Sequence, residues 1–167
     1  TALAAVSISK TDAATLDGMA YFARIYPDEW AASQWLAQRA APDTVIVEAI
    51  GGDDWTTGTY SRVSMATGIP TILGWPGHEA QWRPDNLPNL GRREADVVQL
   101  YTTSDPGELL EVLARYNITY VVLGSIEHST YGIPVDAAIL TGACGCLDVA
   151  FTQGSLTLLR VVEHDRP

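Results

Sequence analysis

The stretch "TVIVEAI", residues 44–50, decides the fold. It is a continuous apolar and largely β-branched run that ends at Gly51 and Gly52, a pattern typical of a strand covered on both faces by helices. Two later segments have the same character: "IPTILGW" at residues 69–75, with Pro70 expected at its beginning, and "ITYVVLG" at residues 118–124. These three runs predict three neighbouring strands of one sheet.

Helical segments separate the predicted strands. Residues 27–41, "PDEWAASQWLAQRAA", have proline and acids in the first turn, and Ala31, Trp35 and Leu36 form the stripe expected to face the sheet. Residues 60–68, "YSRVSMATG", predict a short helix closed by Gly68. Two helices, "RREADVVQLYT" and "DPGELLEVLARYN", follow the second strand, and Asp105 is the expected N-cap of the latter.

The C-terminal part of the chain has a different pattern. Residues 147–162, "LDVAFTQGSLTLLRVV", form two alternating runs joined at Gln153 and Gly154, which predicts an antiparallel hairpin. The polar segment "SIEHSTYG", residues 125–132, is expected to be a loop. The whole pattern predicts a layered α/β fold, with a mainly parallel sheet flanked by helices and a C-terminal antiparallel hairpin at the edge.

Length and charge limit the classes of partner. The 167 residues fit one domain; we expect residues 1–14 to be a linker and residues 15–167 to be a single soluble domain excised from a larger protein. The net charge of −10 disfavours nucleic acids and anionic lipid surfaces, which bind clusters of Lys and Arg. No apolar run approaches the roughly 18 residues that a membrane span needs.

The two cysteines, Cys144 and Cys146, flank a single glycine in "GACGCLD". A bridge across one residue is expected to be strained, so the sequence predicts two free thiols rather than a disulfide. A metal site would need a second pair of cysteines or histidines, and none completes it. We therefore predict no metal.

Several catalytic and cofactor motifs are incomplete. "HEAQW", residues 78–82, begins like a zinc-protease helix but has Trp82 where the second histidine must stand. "GGDDWTTG", residues 51–58, lacks the spacing of the dinucleotide fingerprint and the Lys-Ser/Thr of a phosphate loop. No strand-turn-helix elbow exposes Ser61 or Ser64 as a nucleophile. The sequence therefore predicts no cofactor.

Polar and aromatic residues follow each of the three predicted strands. Parallel strands carry their ligand sites beyond their carboxyl ends, where the loops diverge. We therefore expect one rim of the sheet to gather these side chains. The residues concerned are Asp53, Asp54, Trp55, Trp75, His78, Glu79, Glu127 and His128.

The richest of these segments is "GWPGHEAQWR", residues 74–83. If Pro76 begins a helical turn, Glu79 and Arg83 fall at i and i+4 and can pair, while His78 and Trp82 share the neighbouring face. Two interpretations stay open. One is a surface ion pair with aromatic cover; the other, with Trp75 and Trp82 around a histidine and a carboxylate, is a sugar-binding arrangement that uses stacking and polar contacts.

The helix at residues 60–68 adds further candidates. Its spacing places Tyr60, Ser64 and Thr67 along one face, whereas a single Arg62 on a helix is expected to be solvated. Glu48 lies inside an apolar strand, and a buried carboxylate needs a partner, for which Arg62 or Arg83 is the natural candidate.

The string "YSRVSMATGIPTILGWPGHEAQWR" resembles the soluble carboxy-terminal region of the Chlor_Arch_YYY family of polytopic membrane proteins, as do "TLDGMAYF" before it and "GRREADVVQLYTT", "RYNITYVVLGSIEHSTYG" and "FTQGSLTLLRVV" after it. The resemblance covers about residues 15–162. The family is of unknown function and is similar in layout to membrane glycosyltransferases that take sugars from polyprenyl phosphate carriers. The family pattern falls on these positions: Tyr60, Arg62, Ser64, Thr67, Gly68, Gly74, Trp75, His78, Glu79, Trp82 and Arg83.

The resemblance implies an extracytoplasmic domain attached to a helical membrane part of the same polypeptide, assisting rather than performing the catalysis. Our first hypothesis is an accessory domain that recognises a glycan, a lipid-linked sugar or an acceptor. In it, Trp75 and Trp82 stack on the ligand, and polar contacts come from His78, Glu79, Arg62 and Arg83. Four more residues are predicted to line the same ligand site: Glu48, Tyr60, Ser64 and Thr67. A second is a structural or docking domain in which Glu48, Arg62, Glu79 and Arg83 form a buried polar network. A third is a glycoside hydrolase that pairs Glu79 with Asp53 or Glu127, since two carboxylates perform such hydrolysis.

Overall fold

A four-stranded mixed sheet is the central element of the chain. The structure is a computed structural model that describes residues 17–51, 60–132, 141–142 and 144–162. The strands are β1 (Ile46–Val47), β2 (Tyr120–Leu123), β3 (Leu147–Gln153) and β4 (Leu156–Val161). Their order is β1-β2-β4-β3; β1 and β2 are parallel, and the other two pairs are antiparallel. The α/β class and the edge hairpin are confirmed, while the parallel part is smaller than predicted.

Seven α-helices that lie wholly within the described residues surround the sheet. They are α1 (Gly18–Ile25), α2 (Pro27–Ala37), α3 (Arg62–Thr67), α4 (Pro76–Trp82), α5 (Leu87–Thr102), α6 (Pro106–Arg115) and α7 (Ser125–Tyr131), with a 3-10 turn at Pro84–Asn86. Asp105 accepts from the backbone N–H groups of Gly107 and Glu108, as its predicted N-cap role requires. Gly68 ends α3 in the left-handed conformation at φ +75°, which glycine adopts without strain.

Each face of the sheet has its own hydrophobic core. Val121 and Leu123 of β2 pack in one core with residues of α5 and α6. Tyr120 and Val122 of the same strand lie in the other core, with Ala32 and Leu36 of α2. Because successive side chains of a strand point to opposite faces, this division shows that helices cover both sides of β2. The continuous apolar run of β2 therefore arises as predicted, because helices cover both faces of this strand.

The first predicted strand is shorter than expected because side chains take its hydrogen bonds. The N–H of Ala49 donates to Oε1 of Glu127 at 2.8 Å, and the N–H of Ile50 donates to the Tyr131 hydroxyl at 3.2 Å. Neither group is therefore available to a neighbouring strand. β1 consequently ends at Val47 instead of residue 50.

The prediction of a second strand at residues 69–75 is wrong. This segment contributes only an isolated parallel bridge between Thr71 and Ile46, with the Ile46 N–H donating to the Pro70 carbonyl at 2.9 Å. Pro70 has no N–H to extend the ladder, and α4 already begins at Pro76. The segment still runs parallel beside β1, so its carboxyl end lies on the same side of the sheet.

The segment "SIEHSTYG" was predicted to be a loop, and this prediction is wrong. Residues Ser125–Tyr131 form α7. The carboxylate of Glu127 accepts from the backbone N–H of Gly124 at 2.8 Å and so satisfies a group at the start of the helix. Gly132 ends the helix at φ +67°.

The prediction of two free thiols is also wrong, because Cys144 and Cys146 form a disulfide. Their Cα atoms are 5.1 Å apart, within the ordinary range for a disulfide. Gly145 between them has φ +62°, a conformation that most other residues adopt only with strain. This glycine lets the chain turn sharply enough for the bridge to close.

None of the helices in the described ranges combines the length and apolar character needed to cross a bilayer. The predicted linker at residues 1–14 lies outside the part of the chain that the structure describes.

Candidate functional site

Arg62 lies at the centre of a buried group of charges, which we call the acid–arginine cluster and define as Glu29, Glu48, Arg62 and Glu127. Arg62 is fully enclosed. Its Nε donates to Oε1 of Glu29 at 3.1 Å, and its two terminal nitrogens donate to the two carboxylate oxygens of Glu127 at 3.2 and 2.9 Å. A carboxylate oxygen of Glu48 lies 4.0 Å from the guanidinium. Three carboxylates thus surround one cation in the interior.

The cluster carboxylates also bind the backbone. Glu48 accepts from the N–H groups of Val63 and Ser64, at 3.0 and 2.9 Å, in the first turn of α3. Glu127 accepts from Ala49 as well as from Gly124. Because buried charges are tolerated only when they are paired and hydrogen-bonded, these contacts explain how the interior holds them. The cluster joins the helices α2, α3 and α7 with the segment that directly follows β1.

Burial sets the ionisation of the cluster. It raises the pKa of Glu48 to about 7, against the opposing effects of Arg62 and of the two backbone donors. Burial by itself would lower the pKa of Arg62, but the combined attraction of Glu127, Glu48 and Glu29 outweighs burial and raises that pKa above its usual range. Burial raises the pKa of Tyr101 too, and the negative charge of Glu127 adds to the effect. Near neutral pH, Glu48 therefore binds and releases a proton inside a charged core.

Two predictions from the sequence about residues of the acid–arginine cluster are wrong, and one member of the cluster was not predicted. Arg62 is not solvated, and Glu127 is not on an exposed rim; both are wholly buried. Of the two partners proposed for Glu48, the structure selects Arg62. Glu29 was missed, although it shares a helical face with Ser33 and Leu36, and this spacing could have marked it as inward-facing.

A second group of predicted residues lies at the surface, at the corner formed by α4. We call it the α4 patch and define it as Trp75, His78, Glu79, Trp82 and Arg83. Trp82 is 73% exposed, and none of the seven residues of α4 is buried. The indole N–H of Trp82 donates to Nε2 of His78 at 3.1 Å. Arg83 approaches Glu79 at 3.5 Å in the predicted i, i+4 pair.

His78 lies between the two indoles. Its ring meets Trp75 at an interplanar angle of 88° and Trp82 at 62°, with ring centres 6.3 and 6.0 Å apart. Because Nε2 of His78 accepts the Trp82 hydrogen bond, the tautomer that this contact requires is neutral and carries its proton on Nδ1. The patch therefore offers an oriented indole face, an imidazole donor, a carboxylate and a guanidinium.

One unpaired polar atom belongs to the α4 patch, and another lies near it. Nε1 of Trp75 and Oγ of Ser61 are buried and have no hydrogen-bond partner among the described residues. Ser61 is in the left-handed region at φ +56°. A Cβ on Gly74 would stand 3.8 Å from Oγ of Ser61 and 3.7 Å from Oε1 of Glu79, so both side chains border this glycine. Burying unpaired polar atoms is costly, which distinguishes this corner from the satisfied acid–arginine cluster.

Three of the remaining predicted site residues, Tyr60, Ser64 and Thr67, make hydrogen bonds within the protein. Tyr60 precedes α3, and its hydroxyl lies 3.3 Å from Oγ1 of Thr130. Thr67 donates to the Val63 carbonyl and accepts from the Ile69 N–H, while the Ser64 backbone binds Glu48. His128 is exposed on α7. Three predicted rim residues lie outside the described residues: Asp53, Asp54 and Trp55.

The residues that the sequence predicted to form one site therefore lie in two separate groups, the acid–arginine cluster and the α4 patch. Within the described ranges, no group of three or more His, Cys, Asp or Glu side chains has the arrangement of a metal site. The acid–arginine cluster is closed and internally satisfied, whereas the α4 patch is open and carries groups that can contact a ligand.

Comparison with known proteins finds similarity in structure only. No family model matches the chain, and no curated protein matches it, so the resemblance to the Chlor_Arch_YYY family stays a prediction. Among solved structures, the fold resembles the C-terminal globular domain of an oligosaccharyltransferase from Archaeoglobus fulgidus. The match has 9% identity and a TM-score of 0.47, and it covers 80% of this chain and 96% of the other. At this level of similarity, the match carries no inference about function.

Proposed function

We propose that this chain is an extracytoplasmic accessory domain of a membrane-bound, glycosyltransferase-like protein, and that its α4 patch recognises a glycan, a lipid-linked sugar or an acceptor. The membrane part of the same polypeptide is its proposed partner. The sequence resemblance in residues 60–83 supports this proposal, since that string ends in the α4 patch.

The observation that carries the proposal is the oriented exposure of Trp82. Its indole is 73% exposed, yet its N–H is held by His78 at 3.1 Å. An exposed aromatic face with a fixed direction suits stacking on the apolar face of a sugar ring, because little conformational freedom is lost on binding. Glu79 and Arg83 stand one turn apart beside it and can accept from and donate to ligand hydroxyl or acidic groups.

Packing does not account for the composition of α4. Ala80 of α4 packs against a hydrophobic core, but no residue of the helix is buried. The exposed Trp82 ring and the ion pair of Glu79 with Arg83 therefore add little to stability. Exposed ion pairs of this kind contribute at most about 1 kcal/mol. Contact with a ligand would give these exposed side chains a role, which packing in the hydrophobic core does not provide.

The proposal assigns assistance rather than catalysis to this domain. A glycoside hydrolase needs two carboxyl groups that reach the substrate. Glu127, one proposed partner of Glu79, is enclosed and is bound through both oxygens to Arg62. The other, Asp53, lies outside the described residues, so the hydrolase alternative lacks a described pair.

A specific observation favours a second function for other residues. The acid–arginine cluster joins three helices with the segment that follows β1, as a structural or docking domain with a buried polar network would require. Glu79 and Arg83 are not members, because their ion pair stands apart at the surface. The structural role is thus proposed for the cluster, and recognition for the α4 patch.

Binding of oligosaccharides to matched variants tests the recognition proposal. Trp82→Ala removes the proposed stacking face, and Tyr21→Ala removes another exposed aromatic ring, 53% exposed on α1. We expect calorimetric titration with neutral and acidic oligosaccharides to show a loss of roughly tenfold or more in affinity for Trp82→Ala and no change for Tyr21→Ala. Equal affinities of both variants, or no binding of any oligosaccharide by the unaltered chain, would contradict the proposal.

A further inference from the structure

The Cys144–Cys146 disulfide lies outside both the α4 patch and the acid–arginine cluster. It bridges residues only two positions apart, across Gly145. The two sulfurs differ in environment: Cys146 is 5% exposed within one hydrophobic core, whereas Cys144 is partly exposed at its border. Cys144 is therefore the more exposed of the two residues.

The bridge contributes little to the fold. Stabilisation by a disulfide through loop closure grows with the length of the loop, and this loop is among the shortest that can form. Other contacts already hold the region: Leu147 pairs with Val161 in the β3–β4 ladder, and the Val162 N–H donates to the Cys146 carbonyl at 2.8 Å. The stability of the fold therefore depends little on this disulfide.

One hydrogen bond favours opening of the bridge. The backbone N–H of Cys146 donates to Sγ of Cys144 at 3.2 Å. A donor aimed at a sulfur stabilises the thiolate more than the neutral thiol, and a stabilised thiolate lowers the free energy of the reduced state. Disulfides that are accessible and whose reduced form is stabilised are the ones that exchange readily.

We propose that Cys144 and Cys146 form a thiol–disulfide exchange site whose redox partner is a small thiol or dithiol. The partner thiolate attacks Sγ of Cys144, the S–S bond breaks, and the Cys146 sulfur leaves with the electron pair and takes a proton from solvent. A second partner thiolate then attacks the partner sulfur of the mixed disulfide, and Cys144 leaves with the electron pair as the thiolate that the Cys146 N–H stabilises. Two partner thiols are oxidised to one disulfide and release their two protons to solvent, while the protein gains two electrons and Cys146 takes up one proton.

Equilibration of the chain in glutathione buffers tests the proposal. Samples spanning a range of reduced-to-oxidised ratios are trapped with N-ethylmaleimide, and mass spectrometry counts the alkylated cysteines. Ribonuclease A in the same buffers supplies the reference for structural disulfides. We expect half-reduction of the chain at a glutathione ratio roughly tenfold or more below the ratio that opens the reference. Equal resistance to reduction, or two alkylated cysteines under the most oxidising conditions, would overturn the proposal.

A pair of variants tests which sulfur reacts. Cys146→Ser leaves the accessible Cys144, which we expect to form a mixed disulfide with oxidised glutathione. Cys144→Ser leaves the buried Cys146, which we expect to stay a free thiol under the same conditions. The reverse pattern would contradict the assignment of Cys144 as the attacked sulfur.

The doubly substituted chain, Cys144→Ser with Cys146→Ser, separates exchange from structure. Because the loop is short, we expect its Tm to lie within about 6 °C of that of the oxidised chain. A larger fall in Tm, or failure to fold, would show that the bridge is a structural disulfide and would overturn the proposal.

Discussion

Arg62 and Glu127 form a two-bond ion pair in which both side chains are completely enclosed, with N–O distances of 3.2 and 2.9 Å. Removing the guanidinium leaves three carboxylates in the interior without their cation. We expect Arg62→Met to lower the free energy of unfolding by about 3–5 kcal/mol in urea titrations. The matched control is Arg83→Met, which removes an exposed i, i+4 partner and should cost at most about 1 kcal/mol. Similar losses in both variants would contradict the role given to Arg62.

The buried carboxyl of Glu48 makes stability depend on pH. Its pKa is about 7 in the folded chain, against 4.5 for the unperturbed group, because burial disfavours the charged form. The folded state therefore binds the proton more tightly than the unfolded state. The resulting contribution to stability is fully present below about pH 4.5 and is lost as the pH rises to about 7.

Glu48→Gln isolates this effect from other titrating groups. We expect the difference in unfolding free energy, unaltered chain minus variant, to fall by on the order of 3 kcal/mol between pH 4.5 and pH 7.5. Urea titrations at several pH values measure it. A difference that is constant with pH, or that rises, would mean that Glu48 is ionised throughout this range.

Two glycine substitutions should change stability in opposite directions. A Cβ on Gly124 would stand 3.2 Å from both the Arg62 guanidinium and the Glu127 carboxylate, so these buried groups would have to shift and their ion pair would be distorted. We expect Gly124→Ala to destabilise the chain by about 1–3 kcal/mol. Gly91 lies inside α5, and a Cβ there meets nothing within 4 Å. Gly91→Ala should therefore stabilise the chain by about 0.5–1 kcal/mol, and thermal unfolding compares the two.

His78 should position Trp82 for ligand binding. His78→Phe keeps an aromatic ring between the indoles but removes the acceptor of the Trp82 N–H. If the recognition proposal holds, we expect oligosaccharide affinity to fall several-fold, which corresponds to about 1 kcal/mol for one lost hydrogen bond. His128→Phe changes an exposed histidine on α7 and should leave affinity unaltered. An equal effect of both substitutions would argue against a positioning role.

The contacts that the sequence predicted correctly are local ones. Helical spacing alone placed Glu79 beside Arg83 and His78 beside Trp82, and both contacts are present. The hairpin also followed from alternation within one short segment. In these cases, the partners are close in the chain, so secondary structure fixes their geometry.

The contacts that the sequence did not predict are distant ones. Arg62 was expected to be solvated because a single arginine on a helix usually is, but acids 33 and 65 residues away in the chain bind it. The length of β1 was overestimated because the Ala49 N–H binds a side chain 78 residues later in the chain. Such pairings depend on how the helices pack around the sheet, and helical or strand periodicity in a single segment carries no information about them.

The recognition proposal is tested most directly by an NMR titration that follows the indole N–H signals of the tryptophans while oligosaccharides are added. Trp82 and Trp75 lie in the α4 patch, whereas Trp30 and Trp35 lie on α2, where Trp35 packs against Tyr120 and Phe151. We expect saturable shifts of the Trp82 and Trp75 signals with those of Trp30 and Trp35 unmoved. Shifts confined to the α2 tryptophans, or no shift at any oligosaccharide concentration, would contradict recognition at the α4 patch.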